Sequence, residues 1–231
     1  MMSDAQRERV RMKPDLLDMN RATKNLQSAP GINCIFESAC YLISEGGLSG
    51  ARLADIAKRA GVDVAALRHD FHNEEGLFIA VISEAGRRLS AAAEEVGGRL
   101  ANTEPEANLQ SIVDSLFKKL SEERTSIGRL VVHLLAYPAV VGEGWLAVGL
   151  ERYSLLLQAE IKKLLGLDAD SGSVTLHALS VISQCLCFCL APEKLPRVFP
   201  HMQETLPGPE VIARHVTSLS VAALRFEKRS L

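Results

Sequence analysis

Along most of this chain the apolar residues recur at spacings of three and four, and nowhere do they alternate long enough to suggest a strand. Ile35, Ala39, Leu42 and Ile43 form one stripe and predict a helix over 32–44, ended by Gly46-Gly47. Leu53, Ile56, Ala57 and Ala60 form the inner face of a short second helix, Gly61-Val62 makes a tight corner, and a third short helix runs from about Val64 to Phe71. Phe36, Leu53, Ile56, Leu67 and Phe71 are placed to share one small core. Two short helices meeting at a small-residue corner read as a helix-turn-helix, whose second helix is shaped to enter a DNA major groove.

A long helix is predicted next, from about Asn73 to Leu100. Asn73 serves as N-cap, Glu74 and Glu75 sit in the first turn, and Leu77, Phe78, Val81 and Ile82 form the early apolar face. Asn102 to Pro105 stops it, so it links a small domain to a larger one. Further helices are read at about 106–124, 127–137, 145–166, 172–191 and 209–228, with breaks at Pro138, Gly142, Gly144, Gly166, Pro192, Pro196, Pro200, Pro207 and Pro209. Val174 to Ala191 is apolar almost all round, and such a helix must be covered on every side. The last helix repeats at Ile212, Val216, Leu219, Ala223 and Phe226. These two helices from each of two copies suit a four-helix dimer interface, in which Leu179, Ile182, Leu186, Ile212, Val216, Leu219 and Ala223 meet the partner. The expected fold is all-α: a mildly basic flexible arm over 1–30, a helix-turn-helix domain over 31–73, and a helical domain over 74–231.

Composition adds limits. At 231 residues, 47% of them hydrophobic, the chain can bury a sizeable core. A net charge of −2 neither favours nor opposes a nucleic-acid partner, because a small basic patch can be offset by an acidic remainder. The first thirty residues carry Arg7, Arg9, Arg11, Lys13, Arg21 and Lys24 with almost no apolar periodicity. They read as a solvated arm, with supplementary minor-groove contact as the functional alternative. No secretory signal and no uninterrupted apolar run of membrane-spanning length is found, and five cysteines without such a signal suggest reduced thiols, so a cytoplasmic protein with no membrane partner is expected. Cys185, Cys187 and Cys189 invite a metal reading, but on a helix Cys187 points away from the other two, so no metal site and no cofactor are expected. No Gly-rich phosphate loop, paired-carboxylate motif or nucleophile elbow appears, and the chain is not read as an enzyme.

The run Asp55-Ile-Ala-Lys-Arg-Ala-Gly-Val62, the Leu67…Phe71 pair and Glu75-Gly-Leu77 resemble the Tet-repressor family of bacterial transcription regulators. Leu164-Leu-Gly166, Ser183-Gln-Cys-Leu186 and the closing apolar helix resemble its CecR-like branch. The resemblance implies a homodimer that binds palindromic operator DNA and releases it when a small molecule fills the C-terminal domain. It further implies that Val64, Ala65, Ala66, Arg68 and His69 face DNA, with Arg52 and Asn73 beside them at the starts of the neighbouring helices. Arg68 stands where the family usually has a backbone-contacting Tyr, and His69 where a shared His can meet a phosphate. Other positions depart from the pattern: Ala51 replaces a capping Thr, Asp70 a neutral residue or His, and Glu74 a phosphate-anchoring Lys. Over residues 31–80, four basic residues stand against seven acidic ones, a net −3. Each carboxylate near the DNA backbone adds repulsion.

The resemblance also places Phe117, Arg129, His133, Tyr137, Trp145 and Tyr153 on the three helices that enclose the effector. Arg129, His133 and Tyr137 share a helix face and suit an anionic or phenolic ligand. Two functions stand at this point. One is a ligand-responsive transcriptional regulator, expected to repress, with operator DNA and an unidentified small molecule as partners. The other is a dimeric small-molecule-binding or protein-interaction module whose helix-turn-helix no longer reads DNA.

Overall fold

The computed structural model describes residues 24, 26–27, 31–100, 104–122, 127–136, 147–166, 169–198 and 207–229. Among these, every regular element is an α-helix: α1 Ile32–Gly50, α2 Leu53–Ala60, α3 Val64–Phe71, α4 Glu74–Gly97, α5 Pro105–Ser121, α6 Ile127–Ala136, α7 Ala147–Leu165, α8 Ser171–Val198 and α9 Pro209–Lys228. They divide into two compact units. One is the chain up to Arg87 with Glu122–Val148, and the other is Arg88–Ser121 with Gly149 onward, so α4 contributes to both.

In the first unit α1 buries Ile35, Phe36, Ala39, Cys40 and Ile43. Phe36, Leu53, Ile56, Leu67 and Phe71 are all buried, as their spacing predicted, and Leu77, Phe78, Val81 and Ile82 join them from α4. The expected end of α1 is a kink at Gly47, whose φ of 68° lies in the left-handed region, and one more helical turn follows it. Residues 1–23 of the expected arm lie outside the described residues. Its last turn belongs to the fold instead: Leu26 is wholly buried, and Gln27 Nε2 lies 3.4 Å from a Glu84 oxygen. Glu84 is a buried carboxylate, held bidentately by Arg87 at 2.7 Å through both Nε and Nη2. This pairing raises the Arg87 pKa.

In the second unit α5 turns Leu109, Ile112, Val113, Leu116, Phe117 and Leu120 inward and packs on α8 and α9. Two of the unit's buried polar side chains pair with each other: Asn108 donates to Glu160 at 3.0 Å, and Lys163 donates to the other oxygen of Glu160 at 2.6 Å. Helix α8 continues through Pro192 and Pro196 to Val198, where breaks were expected. Each proline removes one donor from the ladder, and the helix runs on without it. By length and composition alone Ser171–Cys189 is long and apolar enough to cross a membrane. Here it packs on α5 and α9, with His177, Ser180 and Gln184 along its course.

The stripe read on the last helix divides between two faces. Ile212 and Val216 are buried within the single chain, with Thr217, Ser220 and Leu224. Ile182 and Leu186 on α8 are likewise buried. These four are therefore corrected from partner-facing to internal: at 100° per residue they lie on the side that meets α5 and the neighbouring helix. Leu179, Leu219 and Ala223 remain exposed, and Leu176, Val211 and Phe226 stand exposed with them. Cys185 is buried, its thiol pushed up to about 12 by burial, while Cys187 is exposed, so the two point apart as the helical spacing predicted.

Candidate nucleic-acid interface

Helix α2 begins at Arg52, whose extended backbone caps it but whose side chain does not. The free N–H of Leu53 is accepted instead by Glu74 Oε1 at 3.2 Å, from the start of α4. Gly61, with φ 68° and ψ 31°, ends the helix in the left-handed conformation. Asp63 then caps α3, its carboxylate accepting from the Ala65 N–H at 2.9 Å. After α3, Asn73 Oδ1 accepts from the Gly76 N–H at 2.8 Å and starts α4, the N-cap role its position predicted. Gly76 sits so close to α3 that a Cβ there would lie 2.2 Å from the Phe71 carbonyl oxygen. Only glycine lets α4 start against the end of α3, which gives the Glu-Gly-Leu opening its physical reason.

Leu67 and Phe71 face inward, and Arg52, Ala65, Ala66, Arg68, His69 and Asn73 are exposed, with Val64 half-buried. Six of the seven residues expected to face DNA are thus exposed and the seventh half-buried. His69, its side chain 87% exposed, places Nδ1 2.9 Å from Asp70 Oδ1. The net charge of −3 over residues 31–80 acquires internal uses: Glu74 and Asp63 cap helices, Asp70 holds His69, and Glu45 lies 3.6 Å from Arg129. Glu74 in particular is turned to the N-terminus of α2, where a carboxylate is favoured by the helix dipole.

Arg129 and His133, read as effector ligands, sit in the first unit against α1. The Arg129 guanidinium lies 5.8 Å from the Tyr41 ring centre, and that of Arg59, on α2, lies 3.9 Å from the same centre. The His133 ring lies 3.3 Å from where a Cβ on Gly47 would be, at the kink of α1. Helix α6 is in this way tied to the head that carries the helix-turn-helix. Sequence reasoning missed Tyr41 and Arg59 here, because residues 18 and 88 positions from Tyr41 leave no periodic signal of their meeting.

Phe117 and Tyr153 lie in the second unit, both buried. Tyr153 shares a 2.8 Å hydrogen bond with the Ser115 hydroxyl, and burial raises its pKa to about 12. Of the six effector candidates, two belong to each unit, and Tyr137 and Trp145 lie outside the described residues. The second unit also has an open groove of about 400 Å³ lined by Asp170, Ser173, Leu176, His177 and Glu227. In it Glu227 accepts from Ser173 and from His177 at 2.7 Å, and these bonds lower its pKa. Among the described residues no three metal-type side chains converge.

Comparison with known proteins follows the same division. Residues 35–81 match the family model of bacterial regulatory proteins of the tetR family, and residues 105–225 match that of the C-terminal domain of the HTH-type transcriptional dual regulator CecR. The HTH-type transcriptional regulator BetI of Yersinia pestis (strain Pestoides F) is 31% identical over 83 residues, which are 36% of this chain and 42% of that protein. BetI of Cronobacter sakazakii (strain ATCC BAA-894) is 31% identical over 83 residues, 36% of this chain and 41% of its own. The chain thus spans about two fifths of the length of the curated relatives it matches. Among solved structures, a TetR-like transcriptional regulator from Rhodococcus sp. RHA1 superposes with a TM-score of 0.63 at 15% identity, over 85% of this chain and 98% of that one. A putative fatty acid metabolism regulator of Clostridium perfringens gives 0.61 at 18%, over 82% and 97%. The regulator FadR of Bacillus subtilis, in complex with stearoyl-CoA, gives 0.55 at 16%, over 82% and 97%. At these identities the likeness shows the fold.

Proposed function

The chain belongs to the tetR family of bacterial regulatory proteins and carries the CecR type of C-terminal domain, and from that premise we propose that it is a cytoplasmic homodimer that binds operator DNA and releases it when a small molecule occupies its C-terminal half. The observation that carries this reading is the outward surface of α2 and α3. There Arg52 and Arg68 are exposed, as are Ala65 and Ala66, while two of the seven carboxylates, Glu74 and Asp63, cap helices and a third, Asp70, pairs with His69. Arginine at these places suits phosphate contact.

For the homodimer, support comes from the exposed apolar residues Leu176, Leu179, Val211, Leu219 and Phe226 on α8 and α9, adjoining helices of one unit. Val211, Leu219, Ala222, Ala223 and Phe226 fall within about 120° on the surface of α9, with His215 among them, a mostly apolar stripe of the kind a second copy covers. The effector is read as an extended apolar molecule. Its support is the mostly apolar inner face of α5, Leu109 to Leu120, together with the fatty-acid regulators and the stearoyl-CoA complex among the structures of like fold. Such a molecule releases DNA only by favouring a dimer whose heads are spread differently, which requires unequal affinity for the two states.

The test is titration of the full chain against the DNA upstream of its own gene at several salt concentrations. A specific complex is expected, with affinity falling steeply as salt rises. Arg68→Ala is expected to abolish it without changing the oligomeric state. Absence of any specific complex at low salt would sink the DNA-reading function and leave the alternative, a dimeric binding module with a degenerate helix-turn-helix. The net −3 of the head is the observation that keeps this alternative in view.

A further inference from the structure

We propose that Glu227 is a positioning residue for the pairing of two copies: it holds the last turn of α9 to the first turns of α8 and so fixes Leu176 and Phe226 side by side for a second copy to cover. This assignment rests on the homodimer proposed above. The Glu227 carboxylate accepts from the Ser173 hydroxyl through Oε1, and from His177 Nε2 at 2.7 Å through Oε2. A carboxylate only accepts, so Nε2 carries a hydrogen in this contact whether the imidazole is neutral or charged. Ser173 and His177 lie about one turn apart, on the side of α8 that meets α9. Asp170 accepts the Ser173 N–H at 3.0 Å and starts the same turn. A carboxylate beside the beginning of α8 is also favoured by the helix dipole.

The position of this contact sets which residues share an outer face. Helices α8 and α9 run antiparallel: the start of α8 meets the end of α9 at Glu227, and about three turns further along α8 the Phe188 and His215 rings meet edge to face, with centroids 6.4 Å apart. In two antiparallel helices the residue just before the contact on each turns to the same side, at 100° per residue. Those residues are Leu176 and Phe226, 67% and 76% exposed, which are the most exposed large apolar side chains among the described residues. Cys187 of α8 and Leu219 of α9 are exposed on that same side. The last turn of a helix lacks partners for its carbonyls and frays. Phe226 lies in such a turn, since α9 ends at Lys228. The two bonds of Glu227 tie that turn down, so Leu176 and Phe226 are ordered before a second copy arrives and association costs less.

The experiment follows the full chain by fluorescence-detected sedimentation over a dilution series. Glu227→Ala is expected to raise the dimer Kd about three- to tenfold. Glu227→Gln, whose amide oxygen still accepts one of the two bonds, is expected to restore part of that loss. Ser173→Ala and His177→Phe each remove one bond and are expected to fall between wild type and Glu227→Ala. They carry the test if Glu227→Ala does not fold. Phe226→Ala decides between positioning and a direct contribution: in that background Glu227→Ala is expected to change the Kd by less than about twofold, because the side chain it positions is gone. An equal fold-loss in both backgrounds would overturn the assignment, as would a Kd that Glu227→Ala leaves unchanged. A wild-type chain that stays monomeric at every concentration overturns the homodimer itself, and the assignment falls with it.

Discussion

At position 74 a glutamate stands where the resemblance implies a phosphate-anchoring lysine, and its carboxylate accepts the N–H of Leu53 at 3.2 Å. From residue types alone it counts as repulsion toward DNA. In the folded chain it supplies the cap that Arg52 does not. Glu74→Ala is expected to destabilise the full chain by about 0.5–2 kcal/mol, and Glu74→Gln by less, since an amide oxygen still accepts. Chemical denaturation of the two variants checks this. Equal stability of Glu74→Ala and wild type would return the residue to its electrostatic reading. Tyr153 carries a second expectation at this scale. Burial raises its pKa from 10.0 to about 12, so the unfolded chain ionises first. Stability is complete below pH 10 and declines as pH rises from there toward 12. Thermal melts across that range are expected to show the loss, and Tyr153→Phe to flatten it.

Among the elements, α6 reads in the sequence as one of the effector helices and is found in the unit of the helix-turn-helix. Arg129 reaches Tyr41 and Glu45 on α1, and Arg59 of α2 lies over the same Tyr41 ring. Tyr41→Leu and Arg129→Met are expected to speed amide exchange in α1 around residues 41–47. Tyr41→Phe, which keeps the ring, should behave as wild type, because a cation–π contact depends on the aromatic face and not on the hydroxyl. Equal exchange in Tyr41→Leu and Tyr41→Phe would show that the ring does not hold these elements together. The junction of α3 and α4 was more legible: Glu75-Gly-Leu77 marked it in the sequence, and the 2.2 Å approach to the Phe71 carbonyl explains why a glycine is needed.

For the molecule as a whole, the proposed pairing through α8 and α9 predicts that Leu219→Glu and Phe226→Glu give monomers in sedimentation experiments. Both side chains are more than half exposed in the single chain, so the folded protomer should survive with an unchanged melting profile. Val216→Glu makes the contrast. That residue is wholly buried, and a charge there is expected to unfold the unit rather than separate two copies. A dimer that persists in Leu219→Glu and Phe226→Glu would place the interface elsewhere.

Apolar spacing alone determined that the chain is helical, where most helices begin and end, and that a helix-turn-helix with Leu67 and Phe71 inward precedes a larger helical domain. These are properties of short range, set by one turn of helix and its caps, so a linear pattern is enough to express them. Tertiary structure alone decided which apolar stripe of α9 faces inward, that Arg129 lies against Tyr41 and Glu45, that Leu26 belongs to the fold, and that Glu74 is a cap. Each of these depends on a neighbour far along the chain, and a side chain's charge or apolarity says what it can bind without saying which partner the fold will bring to it.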